Sequence, residues 1–262
     1  MKAYKLARPD GWDFHTGNTI NYRESIGKVV RCPNGDGSKG VCSNGVLHAS
    51  ENPNDCFIGA RIPCSAYRVE GKPVCGDARK WGFLKLKVIE EITDLDVLFG
   101  WKYSEAVNPI KPLIGRARKP TTEDIGNLHK WASVRASVMD SVRASVGDSV
   151  RDSVWASVWD SVRASVWDSV WDSVRDSVRD SVRDSVGDSI WASVWASVGA
   201  YIGSLFPNIA QWKYIDHTKG EYPFQPVVDL WKRGFIPSFD GTTWRLHSGK
   251  NAQVVYQEEK WG

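Results

Sequence analysis

The sequence predicts an α+β protein: a small β-rich N-terminal domain, a central tetrapeptide-repeat rod, and a small C-terminal helix with a three-stranded antiparallel meander. Three observations predict it. From Trp131 to Val198 one tetrapeptide is written seventeen times, a variable residue followed by Ala or Asp, then Ser, then Val, with Ile190 the single exception. Before it lie short β-type runs separated by turn residues. After it, one amphipathic stretch precedes three strand-like runs joined by turns. The expected domains are 1–120, 121–206 and 207–262.

In the first domain the β-type runs are Lys28–Arg31, Gly45–His48, Ser65–Val69 and Leu84–Ile89. Cys32-Pro-Asn-Gly-Asp-Gly-Ser-Lys-Gly40 reads as a turn-rich loop. Ser50-Glu51-Asn52-Pro53-Asn54-Asp55 reads as a helix start with Ser50 as its N-cap and acids in the first turn. Residues 101–120, interrupted by Pro109, Pro112 and Pro120, read as a connector.

Helix signals bracket the array. Lys119-Pro120-Thr121-Thr122-Glu123-Asp124 is a helix start, a Thr cap followed by two acids near the positive end of a helix dipole. Ile125, Leu128 and Ala132 share one face, Val194, Val198, Ile202, Leu205 and Phe206 keep helical spacing, and Pro207 stops the run. A long α-helix is therefore favoured over the alternative, a narrow β-solenoid with Val pointing inward. A four-residue period against 3.6 residues per turn rotates the Val stripe by about 40° per repeat, so no single face can follow it through the whole array. Uniform units add or drop four residues at a time, which suits a spacer. The seven Trp of the array predict self-association or a protein partner, with Trp155, Trp159, Trp167 and Trp171 as binding candidates.

In the third domain Gln225–Arg233 is a helix closed by Gly234, followed by strands at Phe235–Phe239, Thr243–His247 and Ala252–Gln257. Asp240-Gly241 and Ser248-Gly249-Lys250-Asn251 supply the turns. Asp240, Arg245 and His247 are candidate binding residues. Against that, strand alternation makes Asp240 a turn residue and leaves Arg245 and His247 exposed beside buried Trp244 and Leu246.

Composition excludes several function classes. The net charge is +3, and the array holds seven Arg against ten Asp, a net of −3. About +6 is left for the flanks, too diffuse to argue for a nucleic-acid partner. No uncharged apolar run approaches membrane-spanning length, and the polar start lacks a secretory core, so a cytoplasmic location in a host cell or a virion is expected. The five cysteines are odd in number and irregularly spaced, which predicts free thiols, with no metal site and no cofactor.

Two stretches resemble known proteins. NGVLHASENPNDCF, SAYRVEGKPVCGD and FLKLKVIEEI, within residues 44–90, resemble a small domain of phage and prophage proteins. DLWKRGFIPSFDGTTWRLHSGKNAQVVY resembles a C-terminal module of the same uncharacterised proteins. The resemblance implies a phage-type context without implying an activity. The expected function is a non-enzymatic structural or interaction protein, its terminal modules spaced by a variable-length repeat. The alternative is an enzyme of ADP-ribosyltransferase-like type in the first domain, with His48, Ser50 and Tyr67 as catalytic candidates and Glu70 or Glu90 following. The bland reading makes His48 a half-buried strand residue. No G-x-S-x-G, P-loop or H-E-x-x-H motif occurs.

Overall fold

The computed structural model describes residues 1–35, 40–41, 43–77, 79–150, 154 and 184–259. They form a mixed α and β structure with three small antiparallel sheets. Two compact units share them, one of Met1–Ser104 with residues 150 and 154, the other of Glu105–Ser149 with the described chain after 183.

The first unit contains seven strands: β1 (Lys2–Ala7), β2 (Val29–Arg31), β3 (Leu47–Ala49), β4 (Ser65–Glu70), β5 (Pro73–Gly76), β6 (Trp81–Phe83) and β7 (Lys85–Ile92). One sheet has the order β1-β4-β7-β2, the other β3-β6-β5. Ala3, Ala7, Tyr67, Val69, Leu86 and Val88 of the first sheet meet Leu47, Ala49 and Phe83 of the second in one buried core. Tyr4 and Ser50 exchange backbone hydrogen bonds of 2.8 and 3.0 Å and tie the two sheets together. Ser50 therefore belongs to a bridge and is no helix cap. The 3-10 turn Pro53–Ile58 begins three residues later, with Asn52 as its cap, whose side chain accepts the Asn54 N–H at 3.0 Å. The strands β1, β5 and β6 carry weak sequence signals: two hold three or four residues, and β1 places Lys2 and Lys5 in its run. Helix α1 (Leu95–Phe99) is capped by Asp94, and α2 (Tyr103–Val107) opens inside the stretch expected to be a plain connector.

The second unit contains α3 (Thr122–Val134), a 3-10 turn at Arg135–Ser137, α4 (Val138–Val150), α5 (Asp184–Gly203), α6 (Gln225–Lys232), and strands β8 (Phe235–Phe239), β9 (Thr243–Ser248) and β10 (Gln253–Glu259). The sheet has the order β10-β9-β8, so the expected helix and meander are present. Thr121 and Asp124 cap α3 reciprocally, and Arg233, just past the end of α6, pairs with the buried Asp124 at 2.7 Å.

The described repeats are helical at both ends of the array, but they do not form a free-standing rod. Val138, Val142 and Val146 are fully buried, as are Ser141 and Ser145, while Asp140, Arg143 and Asp148 face solvent. Ser193, Val194, Ser197 and Val198 are buried on α5. Three repeats turn the Ser-Val stripe by only about 80°, which one partner surface can still cover. The neighbours are specific. Gly199 lies against Val138 and Met139, and Gly203 against Val142 and Tyr222. Arg135 stacks over Phe239 at 4.7 Å, and the Phe239 N–H donates to Ser193 Oγ at 2.9 Å. A continuous central helix is not shown. Trp155, Trp159, Trp167 and Trp171 lie outside the described residues.

Candidate functional site

The first unit carries a cleft of about 600 Å³ lined by β3, the loop around residues 13–19, the end of the 3-10 turn and the approach to β6. Its floor begins with Lys5. On β1, Ala3, Lys5 and Ala7 share the face turned toward the core, so this ammonium is buried. Burying a lysine charge requires a partner, and Asp13 supplies it at 2.7 Å. Asp13 Oδ1 also accepts the N–H groups of His15 and Thr16 at 2.8 and 3.1 Å, which fixes the turn that presents His15. Burial pushes the Asp13 carboxyl up, but Lys5 and the two N–H donors outweigh it and bring it down to about 2.

Two imidazoles and a second lysine complete the wall. His15 Nε2–H donates to the Gly59 carbonyl at 2.6 Å. His48, half-buried on β3, gives its Nε2–H to the Val41 carbonyl. Burial first, then the charges of Lys80 and Lys5, lower His48 to about 4, so it is neutral at pH 7. Lys80 lines the cleft too, its Nζ beside Gly59 as the His15 ring is. A smaller adjoining pocket shares Lys5, His15, His48 and Lys80 and adds Ser50 and Cys56. Burial pushes the Cys56 thiol up to about 11, and its Sγ donates to the Tyr4 carbonyl at 3.1 Å. It is therefore no thiolate nucleophile at neutral pH.

Of the three residues expected to be catalytic, the fold brings His48 and Ser50 to one pocket and leaves Tyr67 out. Tyr67 is fully buried in the core, stacked on Tyr22 at 5.7 Å, and burial raises its hydroxyl. Glu90 pairs with Arg68 at 2.9 Å, and Glu70 sits opposite Lys2 at the strand end. Sequence reasoning missed Lys5, Asp13, His15 and Lys80. A lysine on the apolar face of an alternating run was the available signal for the first.

In the second unit Asp240, Arg245 and His247 build a hairpin. Asp240 Oδ1 accepts the N–H groups of Thr242 and Thr243 at 2.9 and 2.7 Å, and Oδ2 pairs with Arg245. Partial burial raises its carboxyl, but these bonds prevail and hold it at about 2. His247 corrects the expectation of an exposed side chain, since it is completely buried. The reason is that β8 is buried along its whole length, so both faces of the sheet are covered and the one-sided alternation fails. The Ser238 hydroxyl donates to His247 Nε2 at 2.7 Å, and Nδ1–H donates to the Ala252 carbonyl at 3.0 Å.

Cys32, Cys56, Cys64 and Cys75 are unbridged, while Cys42 lies outside the described residues. Among the described residues no group of three His, Cys, Asp or Glu could hold a metal, and no helix is long and apolar enough to cross a membrane. No family model, no curated protein and no solved structure matches the chain.

Proposed function

We propose that this chain is a non-enzymatic interaction protein of phage or prophage type, whose second unit anchors both ends of the tetrapeptide array for contact with another copy. The observation that carries this is the anchoring of the array at both ends in one core. Val138, Val142 and Val146 secure the outgoing end, and Ser193 to Val198 the returning end. The units between these two anchored ends are near-identical in sequence, so they can be gained or lost four residues at a time. The Trp residues of that stretch repeat the same chemistry at intervals, which suits association between like surfaces. The resemblance to phage proteins supports the context.

The competing enzymatic reading draws on His48 and Ser50 sharing a pocket. It lacks a nucleophile beside a base: the His48 Nε2–H is spent on a carbonyl, and Ser50 is buried in a bridge. Sedimentation of the full chain and of a variant with Trp155, Trp159, Trp167 and Trp171 changed to Ala tests the proposal. The parent chain is expected to form a concentration-dependent oligomer that the variant does not form. Identical monomeric sedimentation of both would refute it. Turnover of NAD by the parent chain, lost in His48→Ala, would promote the enzymatic reading.

A further inference from the structure

The cleft of the first unit has more cationic than anionic chemistry. Among the described residues Asp13 is the one lining carboxylate, and it is already committed to Lys5 and to two backbone N–H groups. Asp77, next in the chain to this wall, accepts the Arg79 and Lys80 N–H groups at 2.7 and 2.8 Å and closes that turn. Among the described residues no carboxylate pairs with the Lys80 ammonium, which lines the same cleft as His15 and His48. Both imidazoles spend Nε2 on carbonyls, leaving Nδ1 of each to accept a hydrogen bond, or to donate one once protonated. The rest of the lining mixes the neutral polar Thr16, Thr19, Asn34, Ser43 and Asn44 with the apolar Pro33, Val46, Leu47 and Ile58. Apart from the two imidazoles, no aromatic ring lines the large cleft among the described residues.

We propose that this cleft binds a small phosphorylated sugar or polyol, its phosphate held by Lys80 between His15 and His48 and its hydroxyls by Thr16, Thr19, Asn34 and Ser43. Size supports a ligand larger than the anion alone, because about 600 Å³ falls in the range of small-molecule sites. Among the described residues no Phe, Tyr or Trp lines the large cleft, and Phe14 lines only the smaller adjoining pocket, which favours a hydroxylated body over a nucleobase in the large one. An ammonium acts as a point charge toward phosphate and is strengthened by partial burial. His48 is faced by Lys5, Asp13, His15, Cys56 and Lys80, and the charges of Lys80 and Lys5 oppose its protonation.

The test follows the ring C–H resonances of the five histidines in the full chain during titration with ribose 5-phosphate, ribose and inorganic phosphate. Ribose 5-phosphate is expected to move His15 and His48 saturably while His129, His217 and His247 stay in place. Lys80→Ala is expected to weaken binding about tenfold or more, the worth of one charge-assisted contact. Lys80 is only half-buried, so the variant keeps the fold, and unshifted resonances of the free protein confirm that. Lys80→Gln is expected to behave like the Ala variant. Four results would overturn the proposal: no saturable shift at 10 mM, ribose binding as tightly as its phosphate, inorganic phosphate binding as tightly as the ester, or undiminished binding in the Lys80 variants.

Discussion

Shortening the array has a calculable limit. Gly199 meets Val138 and Met139, and Gly203, four residues later, meets Val142, four residues after Val138. Matching steps in the same direction mean that α4 and α5 run parallel where they touch. The chain therefore leaves beyond one end of the contact and returns from beyond the other. From Val142 to Val150 is eight residues, and from Asp184 to Gly203 nineteen. At 1.5 Å per residue the two ends are separated by roughly 40 Å along the helix axis. Deleting residues 155–166, three units, leaves 21 residues between 150 and 184, which reach about 70 Å when extended. Deleting residues 155–182, seven units, leaves five, which reach only about 20 Å. The short deletion should keep the thermal unfolding midpoint and Trp emission of the second unit. The long one should pull α4 from α5, exposing Val138, Val142 and Val146 and lowering stability by several kcal/mol, since burying one such side chain is worth about 1.5–3 kcal/mol. Near-UV circular dichroism and thermal melts of the full chain separate the outcomes. A long deletion that melts like the parent would refute the parallel arrangement.

Three further predictions concern single residues. Val142→Ala should destabilise by about 2–3 kcal/mol in urea, whereas Arg143→Ala should fall within about 0.5 kcal/mol of zero; on a solvated rod Val142→Ala would instead be mildly stabilising, because alanine is the better helix former. His247 is held neutral in the fold down to about 4 by burial, against an ordinary 6.5. A depressed folded value means that its contribution is complete above about pH 6.5 and drains away as the pH falls toward 4. The cost should reach about 2 kcal/mol at pH 5, and urea titrations at pH 7.5 and 5 should show that slope reduced in His247→Asn. Asp13→Asn strands the buried Lys5 ammonium and should cost about 3–5 kcal/mol; adding Lys5→Met should recover much of it, and a double variant as unstable as the single one would contradict the pairing.

The sequence by itself determined the local elements. Thr121 and Asp124 announced α3, Gly234 with its φ of +84° ended α6, and the turn residues at Asp240-Gly241 set the meander, because caps and turns are decided by neighbours in the chain. It also showed that four-residue repeats cannot keep one helical face for long. Tertiary structure alone decided what those pieces met. No local rule tells a Ser-Val stripe whether it faces water or the glycines of α5, and here Val138 and Val142 meet Gly199 and Gly203 in a core where the repeat pattern suggests a rod. His247 looked exposed because alternation assumes one dry face, and only the helices and loops laid over β8 remove that assumption. The cleft was least legible of all. Lys5, Asp13, His15, His48 and Lys80 span 76 positions, and they converge because two sheets close over one core and bring distant loops to the same edge. A buried lysine and its aspartate gain their meaning from a distance in space, which spacing along the chain does not encode.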